Sequence, residues 1–187
     1  MLKYNVDSDR GMEMKKEIIE WIKVIAISCI IAFVITIFVK PTIVKQYSMS
    51  PTLNNNDFLL INRFLYTNNG APERGDIIVF KSNIKTERGG NKLLIKRVIA
   101  IPGDRLTIHD GQVYINEQLQ EEEYLPNIPT SGEIDLVIPK NKLFAMGDNR
   151  GNSLDSRDSA LGLVDNEDII GKAFLRLYPL KKIGYLY

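Results

Sequence analysis

Residues 24–39 read VIAISCIIAFVITIFV, a run of sixteen residues without a charged side chain. Trp21 and Ile22 begin the apolar stretch closer to the N-terminus. As a helix rising about 1.5 Å per residue, residues 21–39 would span about 28 Å, close to the ~30 Å hydrocarbon core of a bilayer. We therefore predict a transmembrane helix here, which Pro41 stops because proline cannot continue a helix.

Two other interpretations compete with a membrane anchor. A buried core helix would normally carry a polar stripe, and residues 21–39 have none. A cleaved secretory signal fits Lys15 and Lys16 as its basic region. However, the apolar stretch is longer than such signals need, and no small-x-small cleavage pattern follows in residues 40–44. We therefore predict an uncleaved anchor over residues 18–39.

The basic residues on either side of the apolar run predict the orientation of the anchor. Five precede the run and two follow it: Lys3, Arg10, Lys15, Lys16 and Lys23 before, Lys40 and Lys45 after. Positive charge is retained on the cytoplasmic side. The rule places residues 1–17 in the cytoplasm as a tail and residues 40–187 outside the membrane, so we expect a single-pass protein.

Composition excludes several classes of function. With 24 basic and 23 acidic residues the net charge is +1, so no nucleic-acid partner is expected. One Cys and one His leave too few ligands for a disulfide framework or an ordinary zinc site. A Ser-His-Asp triad would need that single His109, which lies beside a predicted hairpin turn, where a solvated or structural histidine is usual. If the protein is a hydrolase, we expect another side chain to move its protons.

Residues 40–187 consist mainly of short β-branched and aromatic runs between Gly, Pro, Asn and Asp, which predicts mostly antiparallel β structure. Asp110-Gly111 is typical of a tight hairpin. The predicted strands cover residues 58–61, 77–80, 93–101, 106–108, 113–115, 136–138, 143–146 and 174–178.

We expect this extracytoplasmic part to consist of a core and an insertion. The core covers about residues 40–104 and 143–187, and a small inserted β region covers about 105–142. Within the insertion, residues 118–132 contain the acidic run 121–123 and two prolines, at 126 and 129. Because this composition is polar, we expect residues 118–132 to form an exposed connection.

Lys96 lies in one of the predicted strands. It has apolar neighbours on its own face, because Leu94 and Val98 are each two residues away and point to the same side of the strand. The ordinary interpretation is an edge-strand lysine in water. A free lysine has a pKa near 10.4, so only about 0.1% is neutral at pH 7.4. Burial can lower that pKa by several units, which would make the amine a usable general base.

Such a base needs a hydroxyl to deprotonate, and residues 46–53 (QYSMSPTL) offer serines. A serine is a poor nucleophile without a positioned base, and Ser-Lys pairs are an established solution. A second polar segment, residues 145–158, contains Gly147, two arginines and several aspartates after an apolar strand. Taken alone, the first segment is an ordinary turn and the second a solvated loop with surface ion pairs.

Together these segments resemble bacterial type I signal peptidases (leader peptidases), which are membrane-anchored serine endopeptidases with a Ser-Lys dyad. Residues 48–53 (SMSPTL) match the family's S-M-x-P-T-L, and residues 75–80 (GDIIVF) match G-D-I-V-V-F. Residues 96–104 match K-R-V-I-x-x-P-G-D, and residues 147–157 match G-D-N-R-x-N-S-x-D-S-R. The four blocks occur in family order behind the anchor, and the resemblance covers roughly residues 15–178.

The resemblance implies roles for individual residues. Ser48 would be the nucleophile and Lys96 the general base, with the backbone N–H of Ser48 as one oxyanion donor. Ser153 would orient the lysine amine through a hydrogen bond. Three ion-paired residues would support the site, namely Asp148, Asp155 and Arg157. Four residues would line the substrate cleft: Met49, Leu53, Leu94 and Ile95.

The chain departs from many relatives two residues before the nucleophile. They carry Ser or Gly there, and the Ser hydroxyl serves as the second oxyanion donor, whereas this chain has Gln46. The Gln46 amide could take that place. Losing one such donor typically costs about 10²–10³ in rate, so its identity matters.

The implied function is removal of N-terminal signal peptides from exported preproteins after a small-x-small motif such as Ala-x-Ala. The resemblance implies no metal or organic cofactor, a bilayer and signal peptides as partners, action as a monomer, and location in the bacterial cell membrane. One alternative is a catalytically impaired relative that assists surface-protein or pilus assembly. Others are a transcription-controlling Ser-Lys autoprotease, which would need a DNA-binding region, and a β-domain that only binds.

Overall fold

The computed structural model describes residues 3–66, 70–125 and 128–186, with side chains from residue 14 onward. The chain divides into two compact units, Met1–Phe38 and Val39–Tyr187. The first two residues of the predicted tail, and Tyr187 at the other end, lie outside the described residues.

The first unit contains one helix, α1 (Lys3–Phe38). Its stretch Met14–Phe38 is long and apolar enough to cross a membrane, and its apolar side chains are exposed. No other helix with these properties occurs in residues 3–66, 70–125 and 128–186. The helix ends at Phe38, three residues before Pro41. The chain then continues as a strand.

The second unit is built from two antiparallel sheets, which confirms the predicted mostly β class. The strands are β1 (Val39–Ile43), β2 (Phe58–Asn62), β3 (Ile77–Lys85), β4 (Asn91–Ala100), β5 (Arg105–His109), β6 (Gln112–Ile115), β7 (Gln118–Leu119), β8 (Ile134–Val137), β9 (Lys142–Met146), β10 (Val164–Asp165), β11 (Ile169–Tyr178) and β12 (Gly184–Tyr185). The larger sheet has the strand order β1-β2-β11-β3-β4-β9-β10, with β12 paired to β11, and the smaller has the order β7-β6-β5-β8.

All eight predicted strands are present, and so is the predicted hairpin. His109 pairs with Gln112 at the end of β5 and β6, which leaves Asp110 and Gly111 as a two-residue loop. Both loop residues have positive φ, 51° and 77°. This combination defines the turn that matches the twist of antiparallel strands, and it is the reason for the Asp-Gly sequence.

Four strands were not predicted. β1 contains Pro41, which argues against a strand inside a sheet, but β1 is an edge strand paired only with β2. Proline is tolerated there because the missing N–H can lie on the open side of the ladder. The other three, β7, β10 and β12, have two residues each, too few to show a period in the sequence.

The strand β4 is an interior strand of the larger sheet, between β3 and β9. Leu94 and Val98 contribute to one buried cluster with Ile78 and Phe80 of β3. Further along, β4 contributes Ile99 to a second cluster that joins the two sheets. A side chain in the middle of β4 is therefore surrounded by protein, and Lys96 is not an edge-strand lysine in water.

The prediction that residues 118–132 form an exposed connection is wrong in part. Gln118–Leu119 forms β7, and Thr130 is only 2% exposed. Glu122 forms an ion pair with the buried side chain of Arg150. Residues 126 and 127 of this segment lie outside the described residues. An acidic composition suggested water as the partner, but the nearby arginines bind the segment instead.

Candidate active site

Ser48 lies in a turn between β1 and β2 that is anchored by apolar side chains. Met49 and Leu53 are 1% and 0% exposed, in a core cluster shared with β2, β3 and β11. The N–H of Leu53 donates to the carbonyl of Met49 at 2.8 Å, and that of Ser50 to the carbonyl of Tyr47 at 3.1 Å. Buried neighbours and a closed turn thus fix the backbone of Ser48, while its side chain remains accessible.

Lys96 points from the centre of β4 toward this turn. It is 2% exposed and pairs across the sheet with Ile78, which is fully buried. A hydrogen bond of 2.7 Å joins its Nζ to Oγ of Ser48. The two residues are 48 positions apart in the sequence, so the sheet itself creates the pair.

Burial is the main reason that the pKa of Lys96 falls from 10.5 to about 8. Asp155 and Asp148 attract the ammonium and act in the opposite direction, while Lys92 and Arg157 repel it and lower the pKa further. A substantial fraction of the amine is therefore neutral slightly above neutral pH, which a general base requires.

Two arginines neutralise the carboxylates near the amine. Arg97 binds Asp148 through two hydrogen bonds of 3.0 and 2.8 Å, and both side chains are fully buried. Arg157 binds both oxygens of Asp155 at 2.8 Å. Since each carboxylate is already paired, neither attracts a proton to Lys96 as strongly as a free carboxylate would.

Asp155 also fixes the loop that carries it. Burial alone would raise its pKa, but Arg157 and the N–H of Gly147, which donates at 3.0 Å, outweigh that effect and hold the pKa below its ordinary value. The carboxylate is thus ionised and bonded on both sides.

The same loop, residues 147–157, holds the nucleophile turn directly. The backbone N–H of Asn149 donates to the carbonyl of Ser48 at 3.0 Å, and its side-chain amide donates to the carbonyl of Tyr47 at 3.1 Å. The backbone N–H of Ser48 itself has no acceptor in the described part of the chain. That donor is free to bind an oxyanion.

A cavity of about 310 Å³ opens at the pair. Ser48 and Lys96 lie in its wall together with Gln46, Lys92, Leu94 and Leu154. The wall combines apolar surface with the amines of Lys92 and Lys96, and the cavity is large enough for part of an extended peptide.

Among the residues that the structure describes, no group of three or more His, Cys, Asp or Glu side chains is placed to hold a metal ion. His109 stacks on Tyr114 with ring centroids 4.6 Å apart and contacts Asp110 at the hairpin of the smaller sheet.

A sequence model of one protein family, described as signal peptidase, peptidase S26, matches residues 18–178. This chain belongs to that family. Signal peptidase I P of Bacillus subtilis subsp. natto is 37% identical over 95% of this chain and 98% of its own length. Signal peptidase IB of Staphylococcus aureus MRSA252 is 35% identical over 92% and 95%. A crystal structure of a signal peptidase I from Enterococcus faecalis V583 is 30% identical, covering 55% of this chain and 96% of that chain with a TM-score of 0.45.

The structure places the predicted cleft residues of this signal peptidase in different surroundings. Leu94 lines the cavity, whereas Met49 and Leu53 are buried in the core beneath it, and Ile95 packs against the same core cluster. Gln46 lies at the cavity with a positive φ of 80°, and its backbone N–H is bonded to Asn55.

Ser153 is near the pair, but without the bond that the resemblance implies. Its hydroxyl oxygen is buried and makes no hydrogen bond to Lys96, and the Ser153 side chain instead helps to hold the pKa of Asp155 low. It lies instead beside Gly147, where an added Cβ would overlap it. The hydrogen bond from Ser153 to the Lys96 amine is therefore absent from this structure.

Sequence reasoning missed four residues around the site. Arg97 follows Lys96 directly, so the sequence placed its side chain on the other face of the strand. The sequence did not indicate that Asp148 is its partner. Asn149 lies inside the matched loop, and nothing in the sequence indicated that it binds Ser48. Glu122 and Tyr124 lie in the supposedly exposed connection and gave no signal.

Proposed function

We propose that this signal peptidase removes N-terminal signal peptides from exported preproteins, with Ser48 as the nucleophile and Lys96 as the general base. The observation that carries the proposal is the 2.7 Å contact between the buried Lys96 amine and the Ser48 hydroxyl at the cavity wall. The names of the relatives support signal peptides as the substrate.

The chemistry follows from these two groups. The neutral amine of Lys96 takes the proton of the Ser48 hydroxyl as its oxygen attacks the scissile carbonyl. The resulting oxyanion accepts a hydrogen bond from the Ser48 backbone N–H. Lys96 then gives its proton to the departing amine, which leaves an acyl-enzyme. Finally Lys96 deprotonates a water molecule, which attacks the ester, and Lys96 returns that proton to the departing Ser48 oxygen as the signal peptide is released with a free carboxylate.

Gln46 is our candidate for the second oxyanion donor. It lies two residues before Ser48 on the same cavity wall, and its side chain is exposed there. A side-chain amide can donate two hydrogen bonds. Asp148, Asp155 and Arg157 would support the amine electrostatically, as their ion pairs suggest.

We propose that the enzyme is anchored in the bacterial cell membrane by residues 18–39, with its N-terminus in the cytoplasm and residues 40–187 outside. The excess of basic residues before the apolar run supports this orientation. Because one chain supplies both Ser48 and Lys96, a monomer has the complete pair.

The test of the proposed substrate is cleavage of a preprotein by the full chain in detergent. We expect one cut after a small-x-small motif, read by N-terminal sequencing of the product. Replacing the small residue directly before the cleaved bond by Trp should stop cleavage there, because the small-x-small motif that the resemblance implies accepts only a small side chain at that position. The matched control replaces the same residue by another small one, Ala by Ser or Ser by Ala, which should leave cleavage unchanged. Equal cleavage of the Trp substrate would contradict the proposal.

Activity should depend on the protonation of Lys96. Its pKa of about 8 predicts that kcat/KM falls below that pH, by about tenfold per pH unit, as the base becomes protonated. A bound peptide excludes water from the amine and lowers the pKa further, so the kcat profile should lie at lower pH. Circular dichroism at each pH separates titration from unfolding. A flat kcat/KM profile down to pH 5 would refute the amine base.

A further inference from the structure

A single stretch of the insertion contacts three arginines around the active site. This clamp segment, residues 120–131 except 126 and 127, places the Tyr124 ring 3.9 Å from the guanidinium carbon of Arg97. Glu122 accepts two hydrogen bonds from Arg150, one of them at 2.8 Å. Ser131 accepts from Arg157 through its hydroxyl, at 3.3 Å, and through its carbonyl.

Each of these arginines is adjacent to a group that touches the dyad. Arg97 follows Lys96 on β4. Arg150 follows Asn149, whose N–H binds the carbonyl of Ser48. Arg157 holds Asp155, the carboxylate with the strongest effect on Lys96. The clamp segment is thus connected to the base and the nucleophile through these three arginines.

Glu122 supplies the negative charge that balances the buried guanidinium of Arg150. The side chain of Arg150 is 1% exposed, and its Nε has no hydrogen-bond partner in the part of the chain that the structure describes. Asp148 also attracts Arg150, but Arg97 already holds that carboxylate through two hydrogen bonds. Without Glu122, a buried guanidinium would compete with Arg97 for Asp148. The competition would displace the loop from Ser48.

We propose that Glu122 and Tyr124 are positioning residues of the peptidase, which hold residues 147–157 and Arg97 so that Ser48 and Lys96 stay in contact. Neither residue is in the wall of the substrate cavity. They line a separate cavity of about 200 Å³ with Arg74 and Gly75. Because they do not touch the substrate site, their loss should lower kcat and leave KM unchanged.

The inference rests on the proposed function, and its test compares variants of the full chain in detergent. Glu122→Gln keeps the shape but removes the charge, and Glu123→Gln is the matched control, since Glu123 is an exposed neighbour. We expect Glu122→Gln to lower kcat by about 10- to 100-fold, as small displacements of reacting groups do. KM should stay within about twofold, and Glu123→Gln should match wild type.

Tyr124 provides an independent pair of variants. Tyr124→Leu removes the ring over Arg97 and should lower kcat with little effect on KM. Tyr124→Phe keeps the ring and loses only the hydroxyl that donates to Glu122, so it should recover most of the lost kcat. Hydrogen–deuterium exchange should increase in residues 147–157 of Glu122→Gln and Tyr124→Leu, and remain unchanged in the β5–β6 hairpin.

The outcomes separate the two proposals. Activity in a parallel Ser48→Ala variant would overturn the proposed function itself. If Ser48→Ala is inactive but Glu122→Gln and Tyr124→Leu keep wild-type kcat, only the positioning role fails. A rise in KM without a fall in kcat would also overturn it, as would global unfolding of both variants, because the segment would then serve stability alone.

Discussion

Replacing Lys96 by methionine should abolish processing and leave a folded protein that is more stable than wild type. Methionine has a similar length and suits the apolar surroundings of Ile78, Leu94 and Val98. It cannot accept the proton of Ser48. Loss of a general base costs about 10²–10⁴ in rate, and more where it acts as a unit with the nucleophile.

The gain in stability has the same cause as the catalysis. The pKa of Lys96 is about 8 when folded and 10.5 when free. The unfolded chain thus binds the proton more tightly, and the difference corresponds to a burial cost of roughly 3 kcal/mol for the ammonium. The cost is fully present below pH 8 and disappears as pH rises toward 10.5. Lys96→Met should remove it, which thermal unfolding at pH 7 and pH 10 would measure.

Two controls sharpen this experiment. Lys81→Met alters an exposed lysine on the neighbouring strand β3 and should retain activity and stability. Ser48→Ala should be as inactive as Lys96→Met but without its gain in stability, since the ammonium remains buried. A Lys96→Met enzyme with more than a tenth of wild-type kcat/KM would refute the proposed Ser48–Lys96 dyad.

The fold was predictable where its physical cause is local. β-branched runs between turn residues located eight of the twelve strands of the described residues, and Asp110-Gly111 located a hairpin because the turn demands positive φ at both residues. β1 was not predicted, and its proline is tolerated only because β1 lies at an edge of the sheet. Strand order is a tertiary property that no local pattern contains.

The active site was likewise predictable only where its cause is local in the sequence. Alternation along β4 placed Lys96 among apolar neighbours, but only the position of β4 between β3 and β9 removes the amine from water. The pairing of Ser48 with Lys96 was implied by motif resemblance rather than by spacing. The contacts of Glu122 with Arg150 and of Tyr124 with Arg97 join segments 28 and 27 residues apart. The composition of residues 118–132 and 145–158 suggested only that these segments are exposed to solvent.

Gly147→Ala should damage the active site although it adds only a single methyl group. A Cβ there would overlap the Ser48 carbonyl oxygen and the Ser153 side chain. The Ser48 carbonyl is backbone and is bound by Asn149, so it cannot move without moving the nucleophile. We expect kcat/KM to fall by about 100-fold, with a loss of about 1–3 kcal/mol of stability from overpacking.

Gly151→Ala is the matched control, because it lies in the same loop and nothing lies within 4 Å of its added Cβ. It should retain wild-type kcat/KM. The double variant Gly147→Ala/Ser153→Ala tests the overlap with the Ser153 hydroxyl alone: it removes that hydroxyl but leaves the Ser153 Cβ and the Ser48 carbonyl in place. Activity should therefore remain low. Recovery in the double variant would show that the Ser153 hydroxyl, and not the backbone of the nucleophile, is what requires glycine at this position.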